Sequence, residues 1–111
     1  MKRPTGPDQL RAILGRRGWM TASGMGAVLL RRGIVSPEEC VRAYEKRTAY
    51  DRERGSRTGE DPPMSQRVAQ GARVIAHGHL WTLMKLGEIE KRGAGRAVQY
   101  RLRAPTPEPT P

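Results

Sequence analysis

Residues 80–103 read LWTLMKLGEIEKRGAGRAVQYRLR. Leu80, Leu83 and Leu86 step by three, which is the spacing of one helix face, and Gly87 supplies a stop. Ile89 is the apolar residue of a short strand. Gly93-Ala94-Gly95 offers a turn in which positive φ is available at two positions. Val98, Tyr100 and Leu102 then alternate, the period of a half-buried strand. The stretch therefore predicts a helix ending at Gly87 and a β-hairpin over about 88–103.

Working back toward the N-terminus, four helical segments are expected. The fourth and longest is expected over 65–86, with Ser65 as N-cap after Pro62-Pro63. Val68, Ala72, Ile75, His79, Leu83 and Leu86 form its expected core stripe, with Ala76 and Leu80 alongside. Gln66, Gln70, Arg73, His77, Trp81 and Lys85 line the other side. Gly71 and Gly78 share a face, so the helix either breaks at Gly71 or lets another backbone come close.

Before it lies RERGSRTGEDPP, residues 52–63, a polar Gly- and Pro-containing loop. Ser36-Pro37-Glu38-Glu39 opens a third helix to about 52, with a cap, Pro at the first helical position and Glu at the third. Its apolar side is Cys40, Val41 and Tyr44. A second helix is expected over 21–32, capped by Thr21 and closed by Gly33, with Ile34 folding back in a Schellman arrangement. A first is expected over 8–17, with Asp8 as N-cap and Leu10, Ile13 and Leu14 inward. Residues 1–7 and the Pro-rich tail 104–111 are expected to be disordered and to contribute nothing to the core. A single domain over 8–103 remains.

The chain has 111 residues, 36% of them hydrophobic, with no Phe, so its core is small and aliphatic. One Cys excludes an intrachain disulfide, and two His argue against a dedicated zinc site. No apolar run is long enough to span a membrane, and the expected location is cytoplasmic, at the nucleoid if the source is bacterial. Twenty-one Lys and Arg against 11 Asp and Glu give a net charge of +10. Such an excess points to a polyanionic partner. It is densest in residues 64–103, which hold eight basic and two acidic residues. No phosphate-cradling Gly loop, carboxylate pair or nucleophile–base motif is present, so neither enzymatic activity nor a cofactor is expected.

The run Leu80, Leu83, Leu86-Gly87-Glu88-Ile89-Glu90-Lys91-Arg92-Gly93, Gly95-Arg96 and Tyr100-Arg101-Leu102 resembles the end of a prokaryotic winged helix-turn-helix domain. Gly18-Trp19-Met20-Thr21 resembles that family's short first strand. The resemblance implies an α+β, mostly α fold of three to four helices plus a C-terminal hairpin wing. It also implies sequence-specific binding of double-stranded DNA by a small transcriptional regulator of a bacterium, phage or mobile element. One departure is the 12-residue loop at 52–63, where the family has a few residues. Which helix precedes the recognition helix therefore stays open.

On this reading Arg67, Gln70, Arg73 and His77 reach base edges, and Lys91, Arg92, Arg96 and Arg101 of the wing contact the backbone. Arg101 and Arg103 are expected on the exposed side of the last strand, where basic residues also guard an edge against aggregation. Trp81 suits a sugar–phosphate backbone, a partner subunit or burial under the first helices. His79 is expected as a hydrogen-bonded core residue and Cys40 as a buried apolar one. His77 and His79 lie on different faces, poor geometry for a shared metal. A homodimer is left open. The alternative from another class is a winged helix that binds protein, such as a phage factor docking on host machinery. RNA binding is disfavoured, because the five aromatics are not spaced to stack successive bases.

Overall fold

A computed structural model describes residues 6–55 and 59–103. The expected tail at 104–111, residues 1–5 and part of the 52–63 loop lie outside the described residues. The elements are α1 (Gly6–Arg17), β1 (Met20–Thr21), α2 (Ala22–Arg31), α3 (Pro37–Glu53), α4 (Met64–Lys85), β2 (Ile89–Arg92), a 3-10 turn (Gly95–Ala97) and β3 (Gln99–Leu102). The fold is α+β and mostly helical, with one small antiparallel sheet in the order β1-β3-β2.

Local chemistry sets most boundaries. The Ser36 hydroxyl accepts the Glu39 N–H while the Glu39 carboxylate accepts the Ser36 N–H, a complete capping box. Thr21 accepts the Gly24 N–H and caps α2. At the far end of α2, Ile34 N–H donates to Leu29 and Gly33 N–H to Leu30, with Gly33 at φ 70°. Glu88 and Gly87 repeat this pattern on Leu83 and Met84 at the end of α4. Both are Schellman closures, and both need the left-handed backbone that Gly adopts without strain.

Two expected caps are corrected. Asp8 lies inside α1, whose first residues are Gly6 and Pro7, and its carboxylate pairs with Arg11. Ser65 is likewise inside α4. Pro63, extended at ψ 156°, holds the cap position, and its carbonyl accepts the Gln66 and Arg67 N–H groups. A proline that is already extended leaves no role for a hydroxyl two residues later.

α4 is the central element, packing on both α2 and α3. It runs unbroken through Gly71. A Cβ at Gly71 would fall 1.7 Å from the Cys40 carbonyl oxygen, so this glycine lets α3 and α4 touch backbone to backbone. One residue later, the Ala72 backbone meets Gly26 of α2, where an added Cβ would lie 2.7 Å away. Gly78 borders open space.

The buried residues of α4 are Gly71, Ala72, Ala76, Leu80 and Leu83. Val68, Ile75 and His79 are half-buried, and Leu86, expected in the core, is 60% exposed. Val68 and Ile75 still pack against the core, so the expected stripe holds except at Leu86, and Gly71 joins it because the close helix crossings select size as well as hydrophobicity. Leu10, Ile13 and Leu14 of α1, Met25, Val28 and Leu29 of α2, and Ile89 and Tyr100 of the sheet complete the core. Arg11 ties α1 to the α4–β2 junction through Glu88, at 2.7 Å.

Candidate nucleic-acid interface

The outward side of α4 carries Gln70, Arg73 and His77, all exposed. They face an open cleft of about 940 Å³, whose opposite wall is Tyr44, Arg47, Thr48 and Asp51 of α3. Ser23 of α2 also lines the cleft. The cleft exists because the helices touch near Cys40 and Gly71 and leave space beyond that crossing. Arg47 pairs with Asp51 at 3.4 Å. Among the described residues, Arg73 meets no carboxylate.

Arg67 does not join this group. It is half-buried, its Nε donates to the Pro62 carbonyl at 2.9 Å, and it lines a smaller crevice with Tyr44 and Asp61. There the Tyr44 hydroxyl donates to Asp61, and Arg52 pairs with the same carboxylate at 3.0 Å. Arg67 thus holds the entry to α4 in place. Thr48 borders both crevices at 3% exposure, and its Oγ1 has no hydrogen-bond partner among the described residues. An unsatisfied buried hydroxyl costs about 1–3 kcal/mol.

In the hairpin, Lys91, Arg92 and Arg101 are exposed. Arg96 lies in the 3-10 turn, and its side chain is outside the described residues. The last strand, expected as an edge, is the middle strand. Met20 and Thr21 pair with Tyr100 and Gln99 on one side, and Ile89 to Arg92 pair with Leu102 to Gln99 on the other. Arg101 therefore sits mid-sheet on the outer face, where its Nε donates to Glu90.

Sequence reasoning gave Trp19 no functional role. The Arg92 and Arg101 guanidinium carbons lie 4.2 and 4.5 Å from its ring centroid. Residues so far apart in the chain give no sequence signal without the strand register. Trp81 is 57% exposed, not buried under the first helices, and Lys85 covers its ring at 4.2 Å.

His79 is half-buried with the Gly6 backbone against its ring. It has no hydrogen bond to a described residue, contrary to expectation, and burial lowers its pKa. Burial, and then Glu39, raise the pKa of the Cys40 thiol, consistent with an apolar core role. Among the described residues no group of three His, Cys, Asp or Glu could hold a metal, and no helix is long and apolar enough to cross a membrane.

No protein family, curated protein or solved structure matches this chain.

Proposed function

We propose that this chain binds double-stranded DNA sequence-specifically, as a small transcriptional regulator, through a winged-helix arrangement. In this reading α4 is the recognition helix and the β2–β3 hairpin the wing. The element order and the β1-β3-β2 sheet are compatible with that layout.

The carrying observation is where charge is left uncompensated. Only two carboxylates lie in residues 64–103, and both are engaged, Glu88 by Arg11 and Glu90 by Arg101. Among the described residues Arg73, Lys85, Lys91, Arg92 and Arg103 have no ion pair; cations of α1–α3 such as Arg16, Arg31 and Arg42 have none either, but 64–103 is the stretch with no carboxylate left over. The unpaired cations of 64–103 lie on the outward side of α4 and on the hairpin and its end. Unpaired cations on adjacent elements are the electrostatic footprint of a polyanion site.

Gln70, Arg73 and His77 would read base edges in the major groove, and the α3–α4 cleft would receive the flanking backbone beside Arg47. Lys91, Arg92, Arg96 and Arg101 would contact phosphate, which positions without specifying sequence. Arg67, engaged by Pro62, supports the helix entry and drops out of the reading set.

The test is duplex binding across salt concentrations. With about five phosphates neutralised, log K should fall with log salt at a slope near −4 to −5. On a site selected from random duplexes, Arg73→Ala should cost about 1–3 kcal/mol and relax one base pair, because it loses a base contact. Lys91→Ala should weaken all duplexes alike and shrink the slope by about one unit.

A flat slope, or no binding at about 50 mM salt, would remove this reading. It would promote a protein-binding module, which the exposed Trp81 and Leu86 at the end of α4 favour.

A further inference from the structure

On the outer face of the sheet, strand register assembles a group that no single segment of sequence contains. Met20 lies opposite Tyr100, so Trp19, one residue earlier, falls beside Arg101, and Arg101 lies opposite Glu90. Side chains alternate along a strand, so these three share the face opposite buried Tyr100. Arg92 and Gln99 are directly paired on the same face, with Arg92 Nε donating to Gln99 Oε1 at 2.8 Å.

Both guanidiniums converge on the half-buried Trp19 ring, at 4.2 and 4.5 Å from its centroid. Each is held at its Nε, one by Gln99 and one by Glu90. The four terminal nitrogens make no hydrogen bond to any described residue. Two like charges gathered on one ring repel, and Glu90 offsets only one. The cluster is thus a cationic fork pair, oriented in advance, in which one positive charge is left over.

Resting on the duplex reading above, we propose that Trp19, Arg92 and Arg101 form a phosphate clamp that takes a backbone phosphodiester of the bound DNA. The planar guanidinium fork matches phosphate oxygens in bidentate fashion. Trp19 acts as the positioning residue. By stacking both arginines it removes much of the ordering cost that two free side chains would meet on binding.

A Trp81→Phe variant leaves Trp19 as the only indole. Titration with a short duplex should change Trp19 emission saturably, in step with the anisotropy of a labelled duplex. Arg92→Gln and Arg101→Gln should each weaken binding by about 3- to 10-fold and reduce the emission change. Trp19→Leu, which keeps every charge, should weaken binding by a similar factor, and Trp19→Phe should restore most of it.

Duplex binding with Trp19 emission unchanged, or Arg92→Gln and Arg101→Gln binding like the parent, would overturn the clamp and leave the duplex reading intact. No duplex binding, with inorganic phosphate still shifting Trp19 emission, would overturn the duplex reading and retain phosphate recognition at this site. No response to either ligand would overturn both.

Discussion

At the scale of single residues, two glycines on one helix have opposite physical meanings. Gly71 sits where α3 and α4 touch, with Cys40 carbonyl oxygen 1.7 Å from any added Cβ, whereas Gly78 has nothing within 4 Å. Gly71→Ala should therefore cost at least about 2 kcal/mol, because backbone cannot yield as a side chain does. Gly78→Ala should gain up to about 1 kcal/mol from helix propensity. Urea denaturation of both variants checks this, and similar midpoints would mean the helices do not cross there. The same scale marks the reach of sequence reading. Ser36, Thr21, Gly33 and Gly87 were legible because caps are written in neighbouring residues. Gly71 was legible only as a choice between a break and a close approach, since its partner, Cys40, is far away in sequence.

At the scale of elements, four helices and a hairpin were readable from periodicity, and so was the inward face of α4 except at the last residue of the expected stripe, Leu86. The expected stripe puts Ala72, Ala76, Leu80 and Leu83 inward, and all four are buried, while Val68 and Ile75 pack against the core. The crossings with α2 and α3 add Gly71 to that face, since only small side chains permit that approach. Leu86 falls at the C-cap, after the last helical turn, and points to solvent. Leu83 and Ile89 do lie in the core, at 0% and 3% exposure, on either side of the Gly87 stop. Leu83→Ala and Ile89→Ala should each lose roughly 2–5 kcal/mol. Leu86→Ala should stay within about 0.5 kcal/mol of the parent. Thermal melts of the three variants decide the matter, and a large loss at Leu86 would put that residue back in the core. The outward stripe holds for Gln70, Arg73 and His77, all exposed. Arg67, expected to reach base edges, instead donates from its side chain to the Pro62 carbonyl beside the first turn of α4.

At the scale of the whole molecule, carboxylates and cations are distributed unevenly. Ion pairs join α1 to the α4–β2 junction, and α3 to Asp61 in the loop before α4. The outward side of α4 and the hairpin keep cations that nothing among the described residues neutralises. Composition announced the excess. Its density in 64–103 was legible too, but that both carboxylates of this stretch are engaged needed the fold, and the Trp19 stack needed the strand register. The central place of β3 has a mechanical consequence. A hairpin that hangs from its helix by one connection can swing, but here β3 is bonded on both flanks, so β2 and β3 form a stiff lever anchored through β1 to α2. In deuterium exchange, the inter-strand amides of Gln99–Leu102 should be the slowest of the hairpin, and those of Gly93–Gly95 at its tip the fastest. Equal rates along the hairpin would mean β1 does not hold. A lever of this kind passes restraint: a ligand that holds its tip also steadies the start of α2, so ligand contact at the hairpin should slow exchange at Met20 and Thr21 as well.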